Sequence, residues 1–272
     1  MNLNPLGPLG LPVRAGIELG RALGRRLSPQ PEPQPRQQPR PATPQTPPRH
    51  PASPRTASFQ DVAPMNAQAQ ELYRAILAYP DTQADQSQAR QIAVETEAAS
   101  RAFGVDPKVM LAIIAHESQG FDTRAVSHSG AKGLGQLTGV AIQEMRRLSY
   151  DPTYDASYPR GNSERQHYPD PEIQALVERP QTQAIFQRLG QREENRFNVR
   201  DNIWGSAFYA RIAMDRAQEN RSGAAVTLGE NGMMGRYNGA SRSERRAHSA
   251  GIADSYQRMF SQTIPSSLRP QV

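Results

Sequence analysis

The chain has 272 residues, a formal net charge of +6, 24 prolines and no cysteine. Without cysteine it can form no disulfide, no thiolate metal site and no cysteine nucleophile. The excess positive charge lies in residues 1–58, which hold eight Arg against two Glu, so residues 59–272 are balanced and give no electrostatic support for nucleic-acid binding.

The first segment, residues 1–28, contains one amphipathic stretch. Residues 13–27, VRAGIELGRALGRRL, place apolar side chains on one helical stripe with Arg opposite. This pattern indicates a candidate export or partner-binding helix, and a marginal, frayed helix is the alternative. The preceding residues are broken by Pro and Gly and have no basic residue before the apolar part, so no Sec signal peptide is predicted. No apolar run approaches the length of a transmembrane segment.

Residues 29–64 are predicted to be a disordered, Pro-rich linker. Eleven of the 24 prolines fall within residues 29–54, among Gln, Arg, Ser and Thr. Proline lacks the backbone donor and fixes φ, so this stretch cannot join the interior of a helix or sheet. It also has almost nothing apolar to bury, which favours an extended chain with polyproline character.

Residues 65–265 are predicted to form one all-α domain. A 3.6-residue periodicity begins near residue 65, and alternating apolar and polar runs are scarce, so at most a small β element is expected. Asp106-Pro107 is typical of an N-cap followed by proline at the first helical position. Pro180 should break or kink the fifth of the predicted helices. These helices span residues 65–79, 87–103, 107–118, 137–148, 172–189, 198–219 and 243–262.

His116-Glu117, at the end of the third predicted helix, begins like the zinc motif H-E-x-x-H. That motif needs a second His one helical turn later, and the residue at that position is Gly120. His128 lies beyond a glycine-rich stretch and cannot share the same helical face. The spacing therefore excludes this zinc site, and neither a metal nor a cofactor is predicted.

Glu117 is predicted to lie on the apolar face of helix 107–118, with Met110, Ile113 and Ile114 at helical spacing. An ionised carboxylate is costly to bury, so the neutral, proton-donating form is favoured there, as in the acid of a glycosidase. The helix alone leaves a second interpretation equally open, in which Glu117 is partly exposed at the helix end and pairs with an Arg.

Three motifs follow in order along the chain. The first comprises Glu117-Ser118, AVS at 125–127 and GAKGLGQ at 130–136; the second is NIWGSAFY at 202–209, and the third is RYNGA at 236–240. Together they resemble the soluble lytic transglycosylases, bacterial peptidoglycan-cleaving enzymes with a goose-type-lysozyme-like fold, over roughly residues 100–262. The resemblance implies a lysozyme-like helical domain.

The resemblance also implies roles for five residues. Glu117 would be catalytic, and Ser127, Gln136, Tyr237 and Asn238 would bind substrate. Ser127 and Gln136 suit hydrogen bonds to acetamido and hydroxyl groups, and the Tyr237 phenol is suited to orienting the Glu117 carboxyl. Structural interpretations stand beside these: Ser127 as a turn cap, Gln136 at a solvated helix start and Tyr237 in the core.

Several positions depart from the family pattern. Gly135 replaces a Met, Thr138-Gly139 replaces Met-Pro, Gly235-Arg236 stand where small apolar residues are usual, and Gly239-Ala240 reverses Ala-Gly. The polar segment 149–196 is longer than a minimal loop. These changes are expected to reshape glycan or peptide subsites and to leave the acid in place.

The mechanism that the resemblance implies uses one carboxylate rather than the two of ordinary glycosidases. Glu117 would protonate the glycosidic oxygen between N-acetylmuramic acid and N-acetylglucosamine and then, as a base, produce a 1,6-anhydromuramyl end. A hydrolysing muramidase is one alternative. A non-catalytic, peptidoglycan-binding component of a secretion system or virion is another.

Peptidoglycan glycan strands are therefore the predicted partner, and the bacterial cell wall or periplasm is the predicted place of action. Without a Sec signal, export by a specialised secretion apparatus or carriage by a phage particle is expected.

Overall fold

The computed structural model describes residues 65–152, 154, 164–221, 223–238 and 241–268, so the predicted segments 1–28 and 29–64 lie outside the part of the chain discussed below. The described helices and strands are α1 (Ala67–Ala78), α2 (Gln86–Phe103), α3 (Pro107–Glu117), α4 (Gly139–Leu148), α5 (Pro171–Val177), α6 (Pro180–Gln191), a 3₁₀ helix (Glu193–Phe197), α7 (Val199–Asp215), β1 (Ala225–Val226), α8 (Met233–Asn238), α9 (Arg242–Phe260) and β2 (Ser267–Leu268). The prediction of an all-α fold is confirmed.

Each predicted helix is present, with ends that differ by a few residues. The break at Pro180 is also confirmed, because α5 ends at Val177 and proline occupies the first position of α6. The small β element is the antiparallel pair β1–β2, in which Ala225 faces Leu268. The 3₁₀ helix and the six-residue α8 were not predicted, since neither is long enough to show a periodic pattern.

Local sequence signals fix the start of α3. Gly104 ends α2 in the left-handed conformation, with φ of 64°. Asp106 then caps α3 by accepting hydrogen bonds from the backbone N–H groups of Lys108 and Val109, at 2.9 and 3.0 Å, and Pro107 fills the first helical position. These caps set the direction in which α3 carries Glu117 into the domain.

Helix α3 is more deeply buried than its sequence pattern predicts. Met110, Ile113 and Ile114 are fully buried, as expected, but Val109 and Leu111 are fully buried too. Neighbouring helices, α2 and α9 among them, pack around α3, and every residue from Val109 to Ala115 is buried. A helix that is apolar on all sides is the usual form for a segment at the centre of a domain.

Helix α7 is the other central element and packs against α2, α4, α6 and α8. Phe208 of α7 stacks between two rings, with centroids 5.3 Å from that of Phe103 and 5.3 Å from that of Phe186. All three side chains are fully buried. This aromatic stack joins α2, α6 and α7 into one core. No helix in the described ranges is long and apolar enough to cross a membrane.

We expect Phe208→Ala to lower the free energy of unfolding by about 3–5 kcal/mol, because it removes a ring packed on two sides. Leu77→Ala in α1 is the control, since its side chain is 39% exposed, and it should cost less than about 1 kcal/mol. Chemical denaturation measures both values. Equal losses for the two variants would show that the aromatic stack is not a main part of the core.

Candidate active site

Glu117 is the last residue of α3, and the chain turns sharply after it. The next residue, Ser118, is buried; its hydroxyl donates to the Ile114 carbonyl at 2.6 Å and accepts from the Phe121 N–H at 3.0 Å. Gln119, Gly120 and Phe121 all have positive φ, at 52°, 93° and 70°. The Ser of the Glu-Ser motif thus shapes the turn that leaves Glu117 at a helix end.

Gly120 is required by its surroundings. A Cβ at this position would overlap the backbone carbonyl of Asp81, and its φ of 93° disfavours any other residue. The second His of a zinc motif could therefore not be accommodated here. Across the described ranges, no group of three or more His, Cys, Asp or Glu side chains is arranged to hold a metal ion.

The glycine-rich segment 125–137 forms a compact loop, called here the glycine loop. Its backbone makes two isolated bridges, Val126 with Lys132 and Lys132 with Leu137. The Gln136 side chain donates from Nε2 to the carbonyls of Ala125, at 3.1 Å, and Gly133, at 2.9 Å. The Gln136 side chain thus links two other positions of the glycine loop, and its own backbone has a positive φ of 48°.

Ser127 also makes its hydrogen bonds within the glycine loop. Its hydroxyl accepts from the Ala131 N–H at 3.0 Å and lies 3.0 Å from the Ser129 hydroxyl. Both contacts belong to a turn cap, which is the structural interpretation that its sequence allowed.

Asn202 attaches the glycine loop to α7. Its buried side chain accepts from the Gly135 N–H at 2.7 Å and donates to the carbonyls of Lys132, at 3.0 Å, and Arg196, at 2.7 Å. One amide therefore bonds three backbone groups of the glycine loop and the 3₁₀ helix, and the Lys132 carbonyl also accepts from the Leu137 N–H at 3.1 Å. This connects the first family-like motif to the second.

Gly135 lies directly against α7 and α8. A Cβ there would overlap the Ser206 hydroxyl, and the Tyr237 hydroxyl would be 3.0 Å away. The Gly135 carbonyl accepts a hydrogen bond from that Tyr237 hydroxyl at 2.9 Å. The departure from the family's Met at this position thus has a steric reason: Ser206 occupies the space where a side chain would begin.

Tyr237 lies on α8 beside the catalytic candidate but donates its hydrogen bond to the Gly135 carbonyl. Burial, and then the negative charge of Glu117, raise the pKa of the Tyr237 phenol well above its usual value, so it remains a donor. Its ring packs edge-on against Tyr209, whose phenol also has a raised pKa because of burial. The two tyrosines form one wall next to the Glu117 carboxyl.

The hydrogen-bond partner of Glu117 is His248, a residue that the sequence analysis missed. His248 Nε2 lies 2.6 Å from Glu117 Oε1, and the two side chains are only 7% and 15% exposed. His248 Nδ1 lies 3.0 Å from the Met234 carbonyl oxygen, and the His248 ring lies parallel to that of Tyr237, with a centroid separation of 6.4 Å. Glu117 thus pairs with a histidine and not with the Arg of the alternative interpretation.

A second histidine lies behind this pair. The His116 ring meets the His248 ring edge-on, with centroids 5.0 Å apart. Burial, followed by the proximity of His248, lowers the pKa of His116, so its neutral form is favoured. Gly251 of α9 lies against the His116 ring and leaves no room for a Cβ. This close packing holds α9 against the end of α3.

The structure therefore brings together the elements that carry Glu117, Gln136 and Tyr237, with the Ser127 turn in the same glycine loop. Asn238 is the last residue of α8 and is exposed; the following positions, 239 and 240, lie outside the described residues. The chain has no local signal for His248, because its contact with Glu117 spans 131 residues.

A comparison with protein families matches part of this site to a known domain. Residues 95–165 match the transglycosylase SLT domain. This match confirms the predicted resemblance to the soluble lytic transglycosylases, and the helical architecture is consistent with their lysozyme-like domain. No curated protein and no solved structure gave a significant match.

The SLT match covers α3, the glycine loop and α4, and thus includes Glu117. It ends before α7, α8 and α9, which contribute Asn202, Tyr237 and His248. The fold nevertheless places these three residues around the matched part through direct hydrogen bonds. An SLT domain implies peptidoglycan as the substrate and supports lytic transglycosylase activity in general.

We expect Gly135→Ala to lower the free energy of unfolding by about 1–3 kcal/mol, because the added methyl group would overlap Ser206. Ser206→Gly removes that obstacle at a cost of about 1 kcal/mol for glycine in a helix. The double variant should therefore lose less stability than the sum of the two single variants. Denaturation of all three proteins measures this coupling, and strictly additive losses would refute the contact.

Proposed function

We propose that this chain is a peptidoglycan lytic transglycosylase in which Glu117 serves first as the acid and then as the base. The proposed bond is the β-1,4 linkage between N-acetylmuramic acid and N-acetylglucosamine, and the proposed product carries a 1,6-anhydromuramyl end. The observation that carries the proposal is the Glu117 carboxyl itself: it lies in the SLT-matched stretch, at a helix end, and is mostly buried with 15% of its side chain accessible.

The burial of Glu117 supports its role as the acid. Burial at the end of α3 holds the carboxyl in one place, as general acid catalysis by a positioned side chain requires. The exposed fraction allows a sugar oxygen to reach the carboxyl. Two tyrosines that remain protonated, Tyr209 and Tyr237, flank the acid without adding a second negative charge.

The surroundings favour one working carboxylate. Glu144, which like Glu117 influences Tyr209, accepts hydrogen bonds from Arg147 at both oxygens, 2.9 Å each, and also from Arg216. Asp122 caps a turn by accepting from the Arg124 N–H at 2.8 Å. Both carboxylates are thus used in structural contacts, whereas a two-carboxylate glycosidase needs a second one free to act as base or nucleophile.

The proposed reaction balances without water. The Glu117 carboxyl protonates the glycosidic oxygen, the bond to C1 of N-acetylmuramic acid breaks, and the neighbouring N-acetyl group stabilises the positive charge. The Glu117 carboxylate then takes the proton of the C6 hydroxyl as that oxygen bonds to C1. Glu117 ends the cycle protonated, and the product is lighter by one water than a hydrolysed end.

Glu117→Gln should reduce cleavage of purified sacculi by at least about 10⁴-fold, because general acid catalysis contributes on the order of 10²–10⁴ and the same group also serves as the base. Muropeptides from the wild-type digest, analysed by mass spectrometry, should carry anhydro ends. The variant should stay folded, because glutamine fills the same volume.

Asp122→Asn is the matched control for that variant, since asparagine can still accept the turn hydrogen bond, and it should keep near-normal activity. An equal loss in both folded variants would favour a two-carboxylate muramidase. Hydrolysed ends in the wild-type digest would indicate the same class. Activity unaffected by Glu117→Gln would leave only a binding role.

A protein beginning near residue 60 should retain sacculus-degrading activity. Every side chain assigned to the site lies between Glu117 and His248, and residues 29–54 hold eleven prolines with little to bury. Digestion of sacculi by the shortened and full-length proteins, at equal concentration, tests this. A shortened protein that fails to fold, as judged by circular dichroism, would contradict the proposed division of the chain.

A further inference from the structure

The contact between Glu117 and His248 constrains where protons can be. A carbonyl oxygen only accepts hydrogen bonds, so the 3.0 Å contact with the Met234 carbonyl requires a proton on His248 Nδ1. The neutral form of this ring then has only a lone pair at Nε2. Nε2 faces Glu117 Oε1 at 2.6 Å, and two lone pairs would repel at that distance. One proton must therefore lie between these two atoms.

That shared proton does not serve the acid step directly. It lies between Oε1 and Nε2, facing the ring and not a sugar. If Glu117 is to donate a proton to a glycosidic oxygen, it needs a second proton on Oε2. The pair then consists of an imidazolium that donates to Oε1 and a carboxyl group whose Oε2–H is available. After donation, the pair consists of an imidazolium and a carboxylate.

We propose that His248 is a positioning residue of the lytic transglycosylase reaction, holding Glu117 by Oε1 so that Oε2 carries the proton that is given and taken. This inference rests on the proposed function of Glu117. In the proposed cycle the proton between Oε1 and Nε2 stays in place, and the proton on Oε2 is given to the leaving oxygen and later regained. The positive charge on His248 favours the ionised Glu117 that must act as the base in the second step.

The groups packed against His248 fit this assignment. Glu117 and His116 face it from α3, and Tyr237 faces it from α8. Beyond these, Tyr209 of α7 and Asp254 of α9 act on Glu117 and His116, respectively. His116 favours its neutral form and Tyr237 keeps its proton. Of the two rings, His248 is the one within hydrogen-bond distance of a carboxylate.

The sign of the pH effect follows from the positive charge on His248. In the wild type, the pair that can act as the acid carries a net positive charge. It should therefore form at lower pH than in a variant without a charge at position 248. A glutamine at position 248 can donate a hydrogen bond to Oε1 without any charge. His248→Gln should therefore retain activity to higher pH, because the neutral Glu117 carboxyl no longer lies beside a cation.

The test measures kcat and KM on sacculi across pH for the full-length wild type and two variants. His248→Gln should move upward the alkaline-side pH at which kcat falls to half. His248→Asn keeps a donor for the Met234 carbonyl but cannot reach Glu117. It should lower kcat by roughly 10–100-fold with little change in KM, as expected when a reacting group loses its orientation.

His167→Gln is the control, since His167 is exposed and bonds to Glu178 and Gln174, and its pH profile should match the wild type. A folded His248→Gln variant with the wild-type pH profile would overturn the proposal, whatever its absolute activity. So would a His248→Asn variant with wild-type kcat, because His248 would then not position the acid.

A second measurement separates this inference from the proposed function. Nitrogen NMR of the histidine rings reports the His248 charge without any substrate. In Glu117→Gln, His248 should lose its positive charge at a lower pH than in the wild type, because its carboxylate partner is gone. An unchanged His248 titration would overturn the pairing. If the His248 titration changes in Glu117→Gln but the wild-type digest contains no anhydro ends, the transglycosylase function alone is refuted.

Discussion

The side-chain amide of Asn202 is the interaction on which the arrangement of the site depends. A loop rich in glycine has few side chains to bury and leaves backbone groups unpaired. Asn202 bonds three backbone groups at once, two of them in the glycine loop and one in the 3₁₀ helix. Because Asn202 is buried on the central helix α7, it fixes the loop relative to the core and therefore relative to Glu117.

Glycines allow the backbone of the glycine loop to approach α7 and α8 closely. Gly133 lies against Asn202 and the Arg196 carbonyl, and Gly135 lies against Ser206, with no space for a Cβ at either position. The short distance lets Tyr237 reach the Gly135 carbonyl with its hydroxyl. The glycine loop, α7 and α8 are thus one packed unit, and the change from the family's Met to Gly135 is compensated within it.

The end of α3 places the Glu117 carboxyl among side chains from three other helices. The helix is buried along its length, yet Glu117 stands at the position where the chain turns away and a carboxyl can be partly accessible. Its neighbours on three other helices are Tyr209, Tyr237 and His248. Two of these are neutral phenols, and the third is a ring that must share a proton with the carboxyl. Among the described residues, the side chains that contact or influence the Glu117 carboxyl here are potential hydrogen-bond donors.

The sequence alone located the long helices and indicated Glu117 as the candidate acid. Periodicity and caps located the helices because each signal lies within one turn or one cap, as with Asp106-Pro107 before α3. Short elements such as α8 were missed because six residues are too few to show the 3.6-residue periodicity of a helix. Three ordered motifs indicated the family and Glu117, since residue types at fixed local spacing can be read without a fold.

Only the tertiary structure decided what those residues contact. Gln136 and Ser127 bond within their own loop, and Tyr237 bonds to Gly135, although their sequence suited substrate or Glu117 equally well. His248 could not be identified from its surroundings in the chain. Its partner is 131 residues away, and helical packing of α9 against α3 and α8 brings the two together. Local spacing carries no information about such a distant pair, because the pair forms only when the buried faces of separate helices pack together.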